Sequence, residues 1–345
     1  MVKNKKKRIG ILTAGGDCPG LNAAIRGVGK TAIVKYGMEV IGLTSGFSGL
    51  INKEYVPLEE RQLSGILTLG GTILGTSREK PYKRGGELDV DKPALIKQHY
   101  DELGLDAVVC IGGNGTMKTA ALLSKEGLNI IGLPKTIDND VWGTDVTFGF
   151  DSALWIATDA IDRLHTTANS HSRVMVIELM GHDAGWLTLY AGMAGGGDVI
   201  LIPEIEYNMK VVNKYLNSRV EKKKSYSIVV VAEGINRPKE ISAATYIAEQ
   251  IEAGTGIETR KTILGYIQRG GSPSPMDRIL ATRFGASAVD LIAKDLYGKM
   301  VIKKGEQIGN VDLSKVAGKT RLVPSNHAMV KKARGLDICL GNRKS

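Results

Sequence analysis

Arg8-Ile9-Gly10-Ile11-Leu12-Thr13-Ala14-Gly15-Gly16-Asp17-Cys18-Pro19-Gly20-Leu21-Asn22 sets the pattern that the rest of the chain repeats. The apolar run at its start is short and nearly continuous, as in a strand covered on both faces. Gly15-Gly16 then turns the chain, and Leu21 opens a segment with helical spacing that reaches residue 36. Unsatisfied N–H groups and the positive end of a helix make such a junction an anion site. The stretch lacks the G-x-G-x-x-G spacing of a dinucleotide fingerprint. A purely structural left-handed turn is the other reading of the same glycines.

Working outward, strand-like runs recur at residues 39–44, 107–111, 129–133, 174–179, 199–202, 227–232 and 262–265. Helix-like segments recur between them, at 93–103, 117–125, 152–167 and 241–253 among others. Buried strands alternating with amphipathic helices define an α/β fold of mostly parallel sheets, doubly wound and three-layered. Ligands in such folds sit beyond the carboxyl ends of the strands. The glycine pairs 15–16, 70–71, 112–113 and 270–271, together with Gly181, fall there. Residues after Gly298 read as a small strand and a terminal helix returning to the second domain.

At 345 residues the chain is long enough for two domains. No apolar run reaches the ~18 residues of a membrane span, and no secretory leader follows the basic start, so a cytoplasmic location without a membrane partner is expected. The formal charge of +10 collects in short runs such as Lys222-Lys223-Lys224, usually solvated surface. Neither an aromatic RNA-binding strand nor a zinc-finger spacing accompanies it, so no nucleic-acid partner is expected. A basic enzyme acting on phosphorylated small molecules carries the same sign. Cys18, Cys110 and Cys339 are too scattered for a metal or disulfide framework.

Three segments carry chemistry. Gly112-Gly113-Asn114-Gly115-Thr116 is a second glycine loop between strand and helix. Thr136-Ile137-Asp138-Asn139-Asp140 follows the run ending Gly132-Leu133-Pro134-Lys135. Alone it reads as an Asp/Asn turn capping the next element. Beside two phosphate cradles it reads as phosphoryl-transfer machinery, one acid taking a proton and the other supporting a cation. Arg173, Arg260 and Arg269 could fork onto a phosphate of the acceptor.

Gly15-Gly16-Asp17, Gly75-Thr76-Ser77-Arg78, Gly112 to Thr116, Pro134 to Asp140, Met180-Gly181-His182 and Gly265 to Gly271 resemble, in order, the motifs of the 6-phosphofructokinase family, in the branch with ATP- and pyrophosphate-using members. The likeness runs from about residue 8 to residue 297. It implies two Rossmann-like domains: a donor domain of residues 1–149 plus 267–315, and a fructose 6-phosphate domain of residues 150–266 plus 316–345. It implies ATP-driven phosphorylation of the 1-hydroxyl of fructose 6-phosphate. Asp138 would be the base, with Arg78 and Lys135 assisting. Gly16, Arg78, Gly113, Asn114, Gly115 and Thr116 would bind the donor, and Asn114 and Asp140 would serve Mg2+. Thr136, Ile137, Met180, Gly181, His182 and Glu233 would seat the sugar, with Arg173, Arg260, Tyr266 and Arg269 around its 6-phosphate. In the family the counterparts of Arg173 and Arg260 come from a neighbouring subunit, which implies a homo-oligomer, usually a tetramer.

The chain departs from the family pattern at three positions. Asn114 stands for a usual aspartate, a weaker ligand for a hard cation. His182 stands for a frequent arginine, and Tyr266 for a frequent histidine. Pyrophosphate users pair an extra acid in the glycine loop with a lysine before the Thr-Ile-Asp-Asn-Asp segment. Here Gly115 leaves the ATP space open while Lys135 is present, so ATP is expected and pyrophosphate is the alternative. A non-catalytic phosphosugar- or nucleotide-binding homologue is the second alternative. Arg26 and Lys222–Lys224 match part of the basic effector site of bacterial relatives, but Glu54 and His165 do not, so control by ADP or phosphoenolpyruvate is expected to be weak or absent.

Overall fold

The computed structural model describes residues 6–82 and 91–342. The chain begins β1 (Arg8–Thr13), α1 (Leu21–Lys30), β2 (Glu39–Leu43), α2 (Phe47–Asn52), β3 (Tyr55–Pro57) and α3 (Lys92–Glu102). It continues through β4 (Ala107–Gly112), α4 (Asn114–Lys125), β5 (Ile130–Thr136), β6 (Phe148–Gly149), α5 (Phe150–His171) and β7 (Val174–Leu179). Then come α6 (Trp186–Ala194), β8 (Val199–Leu201), α7 (Met209–Glu221), β9 (Ser227–Ala232), α8 (Ala243–Thr255) and β10 (Thr259–Ile263). Helix α9 (Pro275–Ala293), the strands β11 (Lys299–Lys304) and β12 (Gln307–Asp312), α10 (Leu313–Val316) and α11 (Ala328–Gly335) close the chain.

Two compact units divide it. The first comprises Met1–Thr136, Asp140–Asp151 and Arg269–Thr320; the second comprises Ile137–Asn139, Ser152–Gln268 and Arg321–Ser345. The first unit's sheet runs β12-β11-β5-β4-β1-β2-β3, with β6 also paired to β5. Its interior pairs are parallel, while β3 and β12 join antiparallel at the edges. Alternate residues explain its layers. Ile9, Ile11, Val109, Ile111 and Ile131 enter one core cluster. Leu12, Val108, Cys110 and Ile130 enter the other, so both faces of each strand are apolar and both are covered by helices. The second unit's sheet, β10-β7-β9-β8, is wholly parallel and splits its residues the same way. Val174, Val176 and Val229 face one cluster and Met175, Ile177 and Val230 the other.

The first helix covers the expected span, α-helical to Lys30 and then a π-helical turn, Thr31–Lys35, where three β-branched residues crowd the backbone. Two expectations need correction. The strand expected at 262–265 lies at Thr259–Ile263, and Gly265 instead begins a 3-10 turn, Gly265–Arg269. It is an edge strand with only Thr259 buried, so hydropathy does not mark it. The region after Gly298 is a two-stranded hairpin of the first unit, not a single strand. Its two-residue loop, Gly305-Glu306, has the positive φ of 53° at Gly305 that tight hairpins require. Among the described residues no helix is long and apolar enough to cross a membrane. All three cysteines are free and buried.

Candidate active site

Strands β1, β4 and β5 are parallel neighbours, with Thr13 beside Ile111 and Gly112 beside Pro134. Their following loops therefore leave the first unit's sheet along one edge. Hydrogen bonds stitch these loops together. Ala14 N donates to Ile111 O at 2.9 Å, and the buried Thr116 hydroxyl faces Ala14 O at 3.4 Å. Gly15 N donates to Ser77 O at 2.9 Å, and Thr76 Oγ1 donates to Gly15 O at 2.7 Å. Lys135, only 4% exposed, donates its ammonium to the Gly16 carbonyl. A Cβ on Gly16 would sit 2.7 Å from an Arg269 guanidinium nitrogen, so the bare glycine leaves that cation room to lie against the loop. Arg78 follows the two residues that bond Gly15. Its side chain is exposed and pairs with nothing among the described residues.

Gly113 precedes α4, and Asn114, Gly115 and Thr116 form its first turn, which contains no acid. Thr116 thus turns its hydroxyl inward, and this stretch presents mainly backbone N–H groups and open space. A Cβ at Gly115 would meet nothing within 4 Å. Asn114 Nδ2 donates to the Asp140 carboxylate at 2.7 Å and to its main-chain oxygen at 3.2 Å. Asn114 Oδ1 is buried without a hydrogen-bond partner among the described residues. No group of three or more His, Cys, Asp or Glu could hold a metal ion among the described residues. A carboxylate plus an unsatisfied amide oxygen instead suits Mg2+, which keeps most of its ligands as water and donor phosphates.

Thr136 ends β5, and its carbonyl accepts from Thr147 Oγ1 at 2.7 Å. Two residues on, Asp138 is half-buried in the second unit, between the buried Ile137 and Asn139. Asn139, between the two acids, takes a left-handed φ of 52°.

In the second unit, Met180-Gly181-His182 follows β7, Glu233 follows β9 and Tyr266 follows β10. Glu233 Oε1 accepts from Gly181 N at 3.1 Å and His182 N at 2.8 Å. Gly181 has φ 147°, and a Cβ there would lie 2.6 Å from Ala184 O. The fully buried Gln268 accepts from Met180 N at 2.9 Å. The His182 imidazole is exposed and paired with Asp183 at 3.0 Å. Arg173 and Arg260 lie elsewhere, at the amino ends of β7 and β10. Arg173 Nε donates to Glu258 at 2.7 Å and Arg260 Nη2 to the same carboxylate; the bond from Arg173 holds that carboxyl below its ordinary range. A six-residue strand at about 3.3 Å per residue puts roughly 20 Å between this rim and Met180. One chain therefore brings Met180, Gly181, His182, Glu233 and Tyr266 to one rim and leaves both arginines at the other.

Sequence reasoning missed how Gln268 holds Met180 and missed Arg321 altogether. Arg321 donates to the Asn139 carbonyl at 2.9 Å. His165, set against the effector pattern, is occupied within its unit: its ring nitrogens contact Tyr226 Oη at 3.1 Å and Gly195 O at 2.6 Å.

The family model for phosphofructokinase matches residues 8–292. The chain belongs to the phosphofructokinase family. It is 62% identical, over 97% of its length and the whole of the relative, to the ATP-dependent 6-phosphofructokinase 3 of Bacteroides thetaiotaomicron. It is 44% identical to a pyrophosphate–fructose 6-phosphate 1-phosphotransferase of Amycolatopsis mediterranei, over 92% of this chain and 96% of that one. A pyrophosphate-dependent phosphofructokinase structure from Nitrosospira multiformis shares the fold, with TM-score 0.85 at 21% identity, over 98% of this chain and 93% of that one.

Proposed function

We propose that the chain transfers a phosphoryl group from ATP to the 1-hydroxyl of fructose 6-phosphate, giving fructose 1,6-bisphosphate. The observation that carries this reading is near-complete, 62% identical coverage by a relative named for that donor and substrate. The open space at Gly115 supports it, since nothing there opposes a nucleotide. Asp138 takes the proton as the hydroxyl oxygen attacks the terminal phosphorus and ADP leaves. The loops around Gly16 and Gly113 to Thr116 hold the donor in the first unit. Arg78 offsets charge on the transferred group. Mg2+, held by Asp140 and Asn114, supplies charge neutralisation when bound. Met180, Gly181, His182, Glu233 and Tyr266 hold the sugar in the second unit.

Arg173 and Arg260 complete the 6-phosphate site of another copy. Their position on the far rim supports a homo-oligomer, a tetramer by family likeness, with shared sites. The exposed Trp155, Ile263 and Ile267 of the second unit supply apolar surface for such assembly. We place this activity in the cytoplasm. Lys135 favours a second reading, pyrophosphate as donor, because a buried cation beside Gly16 suits a small polyanion. A comparison of ATP and pyrophosphate with fructose 6-phosphate and Mg2+ decides between them. Turnover with pyrophosphate exceeding that with ATP would reject the first reading, and tight binding without product would reject both.

A further inference from the structure

Arg321 is distant in sequence from every motif discussed above, yet it ends on the loop between the two acids. Its Nη1 donates to Asn139 O at 2.9 Å. Its guanidinium lies over the Trp186 ring, 3.9 Å from the centroid, while Trp186 Nε1 donates back to Arg321 O at 2.9 Å. Trp186 is 2% exposed and Asn139 is 5% exposed, so both partners are fixed by packing. Glu204 secures the same segment, accepting from Val323 N at 2.8 Å and from Gly185 N, just before Trp186, at 2.9 Å. His327 packs edge-on to Trp186 with centroids 5.1 Å apart. All these residues belong to the second unit.

The preceding residue follows the loop too: within the first unit, Thr320 forms an antiparallel bridge with Val141. Asn139 holds the left-handed φ of 52° between Asp138 and Asp140. A left-handed residue outside glycine persists where surroundings over-determine it. The forked, planar, stacked guanidinium is the group that can pin a peptide carbonyl in one direction.

We propose that Arg321 is a positioning residue for the base. By fixing the Asn139–Asp140 peptide it sets the direction in which the Asp138 carboxylate is presented to the acceptor hydroxyl, through a platform made by Trp186. This rests on the phosphofructokinase reading given above.

The test uses the full-length protein, with Arg321→Met and Arg321→Lys assayed for turnover, KM for fructose 6-phosphate and Tm. Loss of one hydrogen bond from a charged donor is expected to lower kcat about 10- to 100-fold in Arg321→Met. KM should change less than about threefold and Tm by a few degrees. Arg321→Lys keeps a charged donor and should recover a substantial part of kcat. Should Arg321→Met fail to fold, Arg321→Lys alone decides, since it loses the planar stack and should lose kcat ahead of KM. Turnover within twofold of wild type in both variants overturns the proposal. So does a parallel fall of kcat, affinity and Tm without recovery by lysine, the mark of a merely structural clamp. If the unaltered protein shows no turnover of fructose 6-phosphate, it is the reaction assignment that has failed.

Discussion

Gly115→Asp tests the choice of donor with little disturbance of the fold. Gly115 lies in the first turn of α4, and a side chain there enters space empty to 4 Å. The first turn holds no acid, so a carboxylate would add roughly 0.3–1 kcal/mol of stability through the helix dipole. Tm should therefore hold or rise. Against a nucleotide the same carboxylate works the other way. Two like charges about 4 Å apart at an effective dielectric near 20 repel by about 4 kcal/mol. That is about three decades in rate or affinity. Screening and rotation of the aspartate reduce it, so kcat/KM for ATP should fall ~10²–10³-fold. Pyrophosphate lacks the nucleotide side of the donor, and its use should change no more than about tenfold by the same Coulomb estimate. The assay is fructose 1,6-bisphosphate formation coupled through aldolase, with each donor in parallel. ATP use within about threefold of wild type, in a folded variant, would refute the reasoning about the open glycine.

Asp138→Asn should lower kcat by ~10²–10⁴ while KM for fructose 6-phosphate moves only a few-fold, since it removes a base and keeps the shape; steady-state kinetics will show whether affinity falls equally, the result expected of a structural aspartate. Arg260→Ala and Asp138→Asn should each be nearly inactive alone. Refolding them as a mixture should restore part of the activity if sites draw on two copies, and no gain would mean each chain works alone. Burial pushes the Tyr100 hydroxyl up to about 12, so the folded protein keeps its proton where the unfolded chain, near 10, has lost it. The stability this represents is complete below pH 10 and is lost as pH rises toward 12. Tyr100→Phe should lose less stability across that window, as urea midpoints at pH 9.5 and 11.5 will report. Equal losses would assign the alkaline sensitivity to other groups, such as Tyr207.

The interior strands were legible because both faces of β1, β4, β7 and β9 are apolar, and hydropathy registers burial directly. Their glycine-rich exits were legible because close turns need glycine. The edge elements were not. Strand β10 buries only Thr259, β11 is a short apolar triplet flanked by lysines, and β12 is mostly polar, so pairing rather than composition defines them. At the site, charge and spacing picked out Asp138 and Asp140, and the family likeness picked out Gly115. They did not show that Thr116 faces inward, that Asn114 donates to Asp140, or that Lys135 and Arg269 both lie against Gly16. Those are facts of long-range packing. Arg321 was invisible for the same reason: a single arginine near the end of a chain carries no local pattern, and only the fold lays it along the loop.

The placement of Arg173 and Arg260 on the far rim from Met180 has a genetic corollary. In an assembly with shared sites, a cell producing both an intact and a damaged version of the chain builds mixed particles. A faulty arginine from one gene product then silences a neighbour's site, while a sound arginine from the other restores the site of a damaged chain. Loss of activity would follow the share of faulty arginines, so alleles altered at this rim would act by dosage and be masked by an intact copy, even though each polypeptide folds normally.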